Sequence, residues 1–286
     1  MSVAEPAKMI GDLAADGSAR RLMMAGGIML GVLALLAIAA PWIAPYDPET
    51  VEVKRVLGAP DLQHLFGSDI LGRDVFSRVI HALRVSLLVS ISAVAASLVI
   101  AVPLGLLAGY FGRWIDTAIS RTVDMILVLP AMLLAITFIA ILGPGSVVAT
   151  LAIAVIYLPI LARVMRSSAL VVTRNDFVAG ARARGASHWR VIVQHVAPNA
   201  LGPVIVQASV LCAFALQLEA GLSFLGLGVQ PPTPSLGGML ADGRDVLSQA
   251  PWVEIFPGLA IVVAVLAFSL LGEGLRRAFD PRGVAG

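Results

Sequence analysis

The chain has 286 residues, 58% of them hydrophobic and 13% charged, with a formal net charge of +2. Soluble domains carry about 25% charged residues, so this composition excludes an ordinary water-soluble fold and makes the bilayer the expected solvent. One cysteine, Cys212, sits inside an apolar run, which excludes a disulfide framework and reads as a small buried hydrophobe.

In chain order, residues 1–21 are mixed, with Glu5, Asp12 and Asp16 ahead of the pair Arg20-Arg21. The charge-free run Leu22–Tyr46 is longer than the apolar core of a secretory signal, so it is expected to be a retained transmembrane helix behind a short cytoplasmic tail. A long segment follows, Ala44–Arg84, opening with APYDPETVEV. In FGSDILGRDVFSRVIHALRVSL, residues Phe76, Val79, Ile80, Leu83 and Leu87 recur at helical spacing. That spacing predicts an amphipathic helix, lying at the interface or leading into the second span, Val85–Gly112.

Met125–Ala162 is too long for one helix and is interrupted by LGPGS at Leu142–Ser146, a glycine–proline turn. It is read as a hairpin of two spans. Val191–Leu218, starting after Pro198, supplies a fifth span, and Ile255–Gly272 the sixth. Between these last two, GVQPPTPSLGG marks Gly226–Glu254 as a shaped loop rather than a strand or helix. The expected fold class is an all-α membrane protein with six transmembrane helices. Three regions are expected: the tail 1–21, the first helix with its long external segment at 22–84, and a five-helix core at 85–286.

Charge placement sets the orientation. With both termini in the cytoplasm, the inner segments hold Lys8, Arg20, Arg21, Arg113, Arg121, Arg163, Arg166, Arg174, Arg182, Arg184, Arg190, Arg276, Arg277 and Arg282. The outer segments hold Lys54, Arg55, Arg73, Arg78, Arg84 and Arg244. Fourteen against six satisfies the positive-inside rule.

Catalytic signatures are weak. Neither Lys8 nor Lys54 stands in a glycine-rich phosphate loop, so no ATP site of that kind is expected here. None of His64, His81, His188 and His195 has a second histidine at helical metal-ligand spacing. They read as solvated or interfacial, and no metal or cofactor is expected. GLSFLG at Gly221–Gly226 resembles a nucleophile turn only faintly, with no histidine inside any span to act as base. Glu219 is the ionisable residue at membrane depth, either functional by default or a helix-end carboxylate near water paired with an arginine. The small-residue runs GGIMLG, SAVAAS and GLLAG permit close helix packing.

The polar island RNDFVAGARARGASHWRVIVQHVAPN, Arg174–Asn199, falls on the cytoplasmic side. Asn175 or Asp176 can cap a first helix over the alanine-rich Phe177–Arg184. Gly185 suits the left-handed turn that ends it, and Ser187 can cap a second helix. There Trp189, Ile192, Val193 and Val196 share one face, Arg190 and Gln194 another, and Pro198 marks a break before the fifth span. This helix–glycine turn–helix reads as a docking element for another protein. Lipid headgroups would need neither a placed glycine nor an alanine cluster.

These residues resemble the EAA loop of the membrane subunits of bacterial ATP-binding-cassette (ABC) importers. Gly185 takes the motif's glycine place, and His195, Pro198 and Asn199 close it. Ala179-Gly180-Ala181 stands where E-A-A is usual, so one carboxylate of that contact is absent. Phe66–Leu87 and Leu222–Leu247 are similar to the C-type permeases of peptide and nickel importers, with Leu236 in place of a usual tryptophan. The similarity runs from the first span to RRAFDPR at Arg276–Arg282.

The resemblance implies a type I importer permease in the bacterial inner membrane, not an enzyme, carrying di- or oligopeptides or a related small solute. It implies a second, dissimilar permease, two ATPase subunits that use the ATP, an external or lipid-anchored substrate-binding protein, and no nucleic acid. The coupling residues it implies are Asp176, Phe177, Val178, Ala179, Gly180, Ala181, Arg182, Gly185, Arg190, His195, Pro198 and Asn199.

Overall fold

A computed structural model describes residues 4–279, with side-chain surroundings from Gly17 onward. Arg282 and the end of RRAFDPR lie outside the described residues.

The described residues form helices and connecting loops. Five helices are long and apolar enough to cross a bilayer. They are α1 (Ala4–Ile43), α2 (Val75–Phe111), α5 (Ser146–Thr173), α8 (Ala197–Phe224) and α10 (Trp252–Ala278). The remaining crossing is broken. Helix α3 (Arg113–Leu127) and α4 (Ala131–Leu142) meet at 87°. Alone, the 12-residue α4 is about 18 Å long, short of a ~30 Å hydrocarbon core. The smooth third span read from the sequence is therefore corrected to a bent pair. Pro130 is the cause, because it disfavours helical geometry at Leu129 and stands as the N-cap of α4. The LGPGS turn is where the sequence placed it, with Gly143 and Gly145 at φ +89° and +150°.

Helix directions follow from close contacts. Ser97 donates to the Ala154 carbonyl, while Gly105 faces Ala162 and Gly109 faces Ala169. The numbers rise together, so α2 and α5 run parallel. Gly26 faces Leu271 and Gly274 faces Met23, so α1 and α10 run antiparallel. Arg277 donates to Ser18 at 3.2 Å, placing the Ser18 turn of α1 beside the end of α10. Gly26 of GGIMLG and both glycines of GLLAG lie in these interfaces, where lipid offers no hydrophobic drive and close packing supplies the attraction.

Two apolar clusters result. One joins α2, α5 and α8, with Ile153, Leu161, Met165 and Val204 at its centre. The other joins α1, α2, α8, α10 and a short α9 (Leu236–Arg244) around Leu216, Leu236, Met239 and Phe268. Helix α9 corrects the reading of Gly226–Glu254 as loop alone. Ser235 Oγ accepts from Gly238 N at 3.1 Å and caps it, and Leu236 is fully buried. Glycine and proline density concealed it.

The helix foreseen around Phe76–Leu87 is the first part of α2 itself, begun by Asp74, whose carboxylate accepts from Ser77 N at 2.7 Å. Ahead of it, Asp69 takes Arg73 Nε at 2.7 Å and faces Arg78 Nε at 3.4 Å. Asp74 also meets His64 Nδ1 at 2.9 Å. His64 is 4% exposed, so its reading as a solvated residue is corrected. Trp252 Nε1 donates to the Ser68 carbonyl at 3.1 Å and fastens this segment to α10.

Candidate functional site: the Arg174–Asn199 loop

After α5 ends at Thr173, the chain turns into α6 (Asp176–Ala183). Asn175 holds the N-cap position without a side-chain bond, and Asp176 is an acid in the first turn, suited to the positive helix end. Two residues face inward. Val178 is 0% and Ala181 2% exposed, and both join the α2–α5–α8 cluster. Asp176, Phe177, Ala179 and Arg182 are exposed, and Gly180 is half-buried. Small residues therefore keep α6 low on the bundle while its outer face stays free.

Gly185 follows at φ +82°, with its N–H on Arg182 O at 2.9 Å, and Ala186 N reaches Ala181 O at 3.2 Å. This is the expected left-handed helix end. A Cβ on Gly185 would meet nothing within 4 Å, so backbone conformation, not space, restricts the position. Ser187 Oγ accepts from Arg190 N at 3.4 Å and begins α7 (His188–Val191).

Beyond α7 the expected break at Pro198 is absent. Residues Ile192–Val196 form a π turn, and His188–Phe224 is one continuous span. Ala197 N donates to Ile192 O, one residue wider than an α bond. The widened turn accommodates the backbone N–H that Pro198 lacks. It also re-phases the face. Val191, Ile192 and Val196 are buried, whereas Trp189 and Val193 are 70% and 48% exposed. The predicted shared face of Trp189, Ile192, Val193 and Val196 is corrected accordingly. Arg190, Pro198 and Asn199 are exposed and His195 half-buried. Asn199 Nδ2 donates to His195 O at 2.7 Å.

Sequence reasoning missed one set of contacts that binds this loop to α2 and another that ties the neighbouring α5 to α3. Tyr110, near the end of α2, lies 2.9 Å from His188 Nδ1 and 4.7 Å beneath the Arg182 guanidinium. Arg166 of α5 makes a two-pronged pair with Asp116 of α3, one arm at 2.6 Å. No local pattern signals either. Glu219 is corrected as well. It is 0% exposed rather than open to water, and Ser223 Oγ, not an arginine, donates to it at 2.8 Å.

A low, small-residue helix and a turn present exposed Phe177, Arg184 and Trp189 beside a buried anchor. A bundle of several long apolar helices carrying such a loop is a multi-pass membrane protein.

The comparisons agree. Residues 101–283 match the model of the binding-protein-dependent transport system inner membrane component family. Residues 18–61 match the N-terminal transmembrane domain of oligopeptide transport permease C. The dipeptide transport permease of Alkalihalophilus pseudofirmus is 42% identical over 262 residues, covering 92% of this chain and 86% of that protein. The di/tripeptide permease of Pseudomonas aeruginosa is 43% identical, covering 90% and 87%. A glutathione transport permease of Pectobacterium atrosepticum is 39% identical, covering 92% and 88%. In fold, the chain resembles the MetNI methionine ABC transporter facing inward, with TM-score 0.58 at 18% identity, covering 70% of this chain and 95% of that one. An amino acid ABC transporter gives TM-score 0.56 at 18% identity, covering 71% and 94%. The chain belongs to the family of binding-protein-dependent transport system inner membrane components.

Proposed function

We propose that this permease imports short peptides, or a closely related small solute, across the bacterial inner membrane, with both termini in the cytoplasm. Relatives named for dipeptide, di/tripeptide and glutathione transport support the cargo class. A second, dissimilar permease completes the path. Two ATPase subunits bind and hydrolyse ATP, so this chain needs no cofactor and performs no catalysis. An external binding protein delivers the cargo. Residues 1–21 form the tail, 22–84 the peripheral helix and outer segment, and 85–286 the translocating core.

The carrying observation is the α6–Gly185–α7 element. Its inner residues Val178 and Ala181 are locked into the bundle, while Asp176, Phe177 and Ala179 face outward. That is the arrangement a cleft on an ATPase would receive, and a push there reaches the spans through the anchor. Asp176 is the acid left at this surface where Ala179 replaces the usual glutamate. ATP closing the ATPase pair supplies the free-energy difference between inward- and outward-facing states, without which no cargo could shift them.

Gly185→Val tests the reading. The branched residue costs about 1–2 kcal/mol at a left-handed position. The expected result is normal insertion with loss of ATP-driven uptake. Wild-type uptake and ATPase co-purification by this variant would refute coupling at this loop. Uptake by the chain without ATPase subunits, driven by an ion gradient, would instead indicate a secondary transporter.

A further inference from the structure

Arg182 and His188 stand on opposite sides of the Gly185 turn, one on α6 and one on α7, and both converge on a single ring of another helix. Tyr110 is 8% exposed and has its hydroxyl 2.9 Å from His188 Nδ1. The Arg182 guanidinium carbon stands 4.7 Å from the ring centroid. Phe111 closes the edge of the group, 5.0 Å from the Tyr110 ring and 5.8 Å from His188. Helix packing does not require this convergence, because Val178 and Ala181 already fill the space beneath α6. Arg182 and His188 are otherwise exposed, and water would serve their polar groups equally well. What the convergence adds is direction. It ties both flanks of the turn to the end of α2, and α2 lies against α5 at Gly105 and Gly109 with no slack between the backbones.

We propose that Tyr110 is a positioning residue for energy coupling: it receives a displacement of the α6–Gly185–α7 element and passes it to α2, and through α2 to α5. The proposal rests on the coupling role assigned above to this loop. A core cluster alone lets the turn slide or rotate over the apolar surface. A hydrogen bond on one flank and a cation on the ring face from the other remove that freedom.

The test uses the complete transporter, with both permeases, the ATPases and the binding protein, in proteoliposomes. Uptake of radiolabelled dialanine and ATP hydrolysis are measured in the same vesicles. Tyr110→Phe, which removes only the hydroxyl, is expected to lower dipeptide imported per ATP about fivefold, the worth of one hydrogen bond. The ATPase subunits should remain at wild-type stoichiometry. His188→Ala should act alike, and the double variant should be no worse than either single one, because both break the same bond. His188→Asn, whose amide reaches the place of Nδ1, should restore the ratio. An unchanged ratio in Tyr110→Phe overturns the proposal. So do independent effects that multiply in the double variant, or loss of the ATPase subunits, which would make Tyr110 merely structural. Gly185→Val in the same assay separates the two claims. If it uncouples while Tyr110→Phe does not, only the Tyr110 link fails. If both couple normally, the role of the loop itself fails.

Discussion

Gly105 of α2 lies so close to Ala162 of α5 that a Cβ added there would stand 2.6 Å from the Ala162 carbonyl oxygen. It would also stand 2.6 Å from Met165 Cβ, and one turn on, a Cβ on Gly109 would come within 2.7 Å of Ala169 Cβ. The α2–α5 interface thus has backbones in contact, as small residues permit. Gly105→Ala is expected to cost about 1–3 kcal/mol through overpacking, and Gly105→Leu to prevent the two helices from docking. The thermal midpoint of the detergent-solubilised protein measures both. An unshifted midpoint for Gly105→Leu would contradict this packing.

Asp74 serves two partners, capping α2 through Ser77 N and holding His64 Nδ1, with its side chain 1% exposed. Asp74→Ala removes a cap and strands a buried imidazole, an expected loss of about 2–4 kcal/mol. Asp74→Asn keeps an acceptor for the cap and should lose less than half as much. Thermal unfolding of the two variants side by side checks the order.

Gly185 has a left-handed backbone in open space. Asparagine tolerates that region better than other non-glycine residues. Gly185→Asn should therefore retain most ATP-driven uptake, whereas Gly185→Val should lose it. Equal losses in the two variants would mean that space, not conformation, limits the site.

Asp61 lies outside the membrane-spanning helices and has a pKa lowered to about 2. The His64 backbone N–H, at 2.7 Å, is the main cause, followed by Arg55 at 2.6 Å and then the Gln63 N–H at 2.8 Å. For an acid whose folded pKa is depressed, the stabilisation is present above the unfolded value and is lost as pH falls through the folded one. Local order in residues 55–64 should therefore persist to about pH 4 and decline towards pH 2. Amide exchange across that segment reads this directly, and Asp61→Asn should flatten the pH dependence.

Much of this was legible along the chain. The Leu142–Ser146 turn, the cap at Ser187 and the left-handed Gly185 follow from local chemistry that a few neighbouring residues settle. The close-packing role of GLLAG was also readable, although not its partner. Helix α9 was not, because a capping serine amid glycines and prolines looks like loop until Leu236 and Met239 find an apolar cluster to enter. Pro198 looked like a break because a proline removes one backbone donor. A π turn four residues earlier absorbs the loss, and nothing local announces it.

The solvent, the approximate spans and the helix–turn–helix of the loop can be read along the chain. Apolar run length, charge placement and a single obligatory glycine are one-dimensional properties. Which residues those elements touch is settled by the packing in three dimensions. Tyr110 meets His188 across 78 residues of sequence. Arg166 finds Asp116 across 50, and Glu219 finds a serine instead of the arginine a helix end suggested. Such contacts depend on how the helices register against one another, and that register is set by the close approach of small residues distributed over the whole bundle.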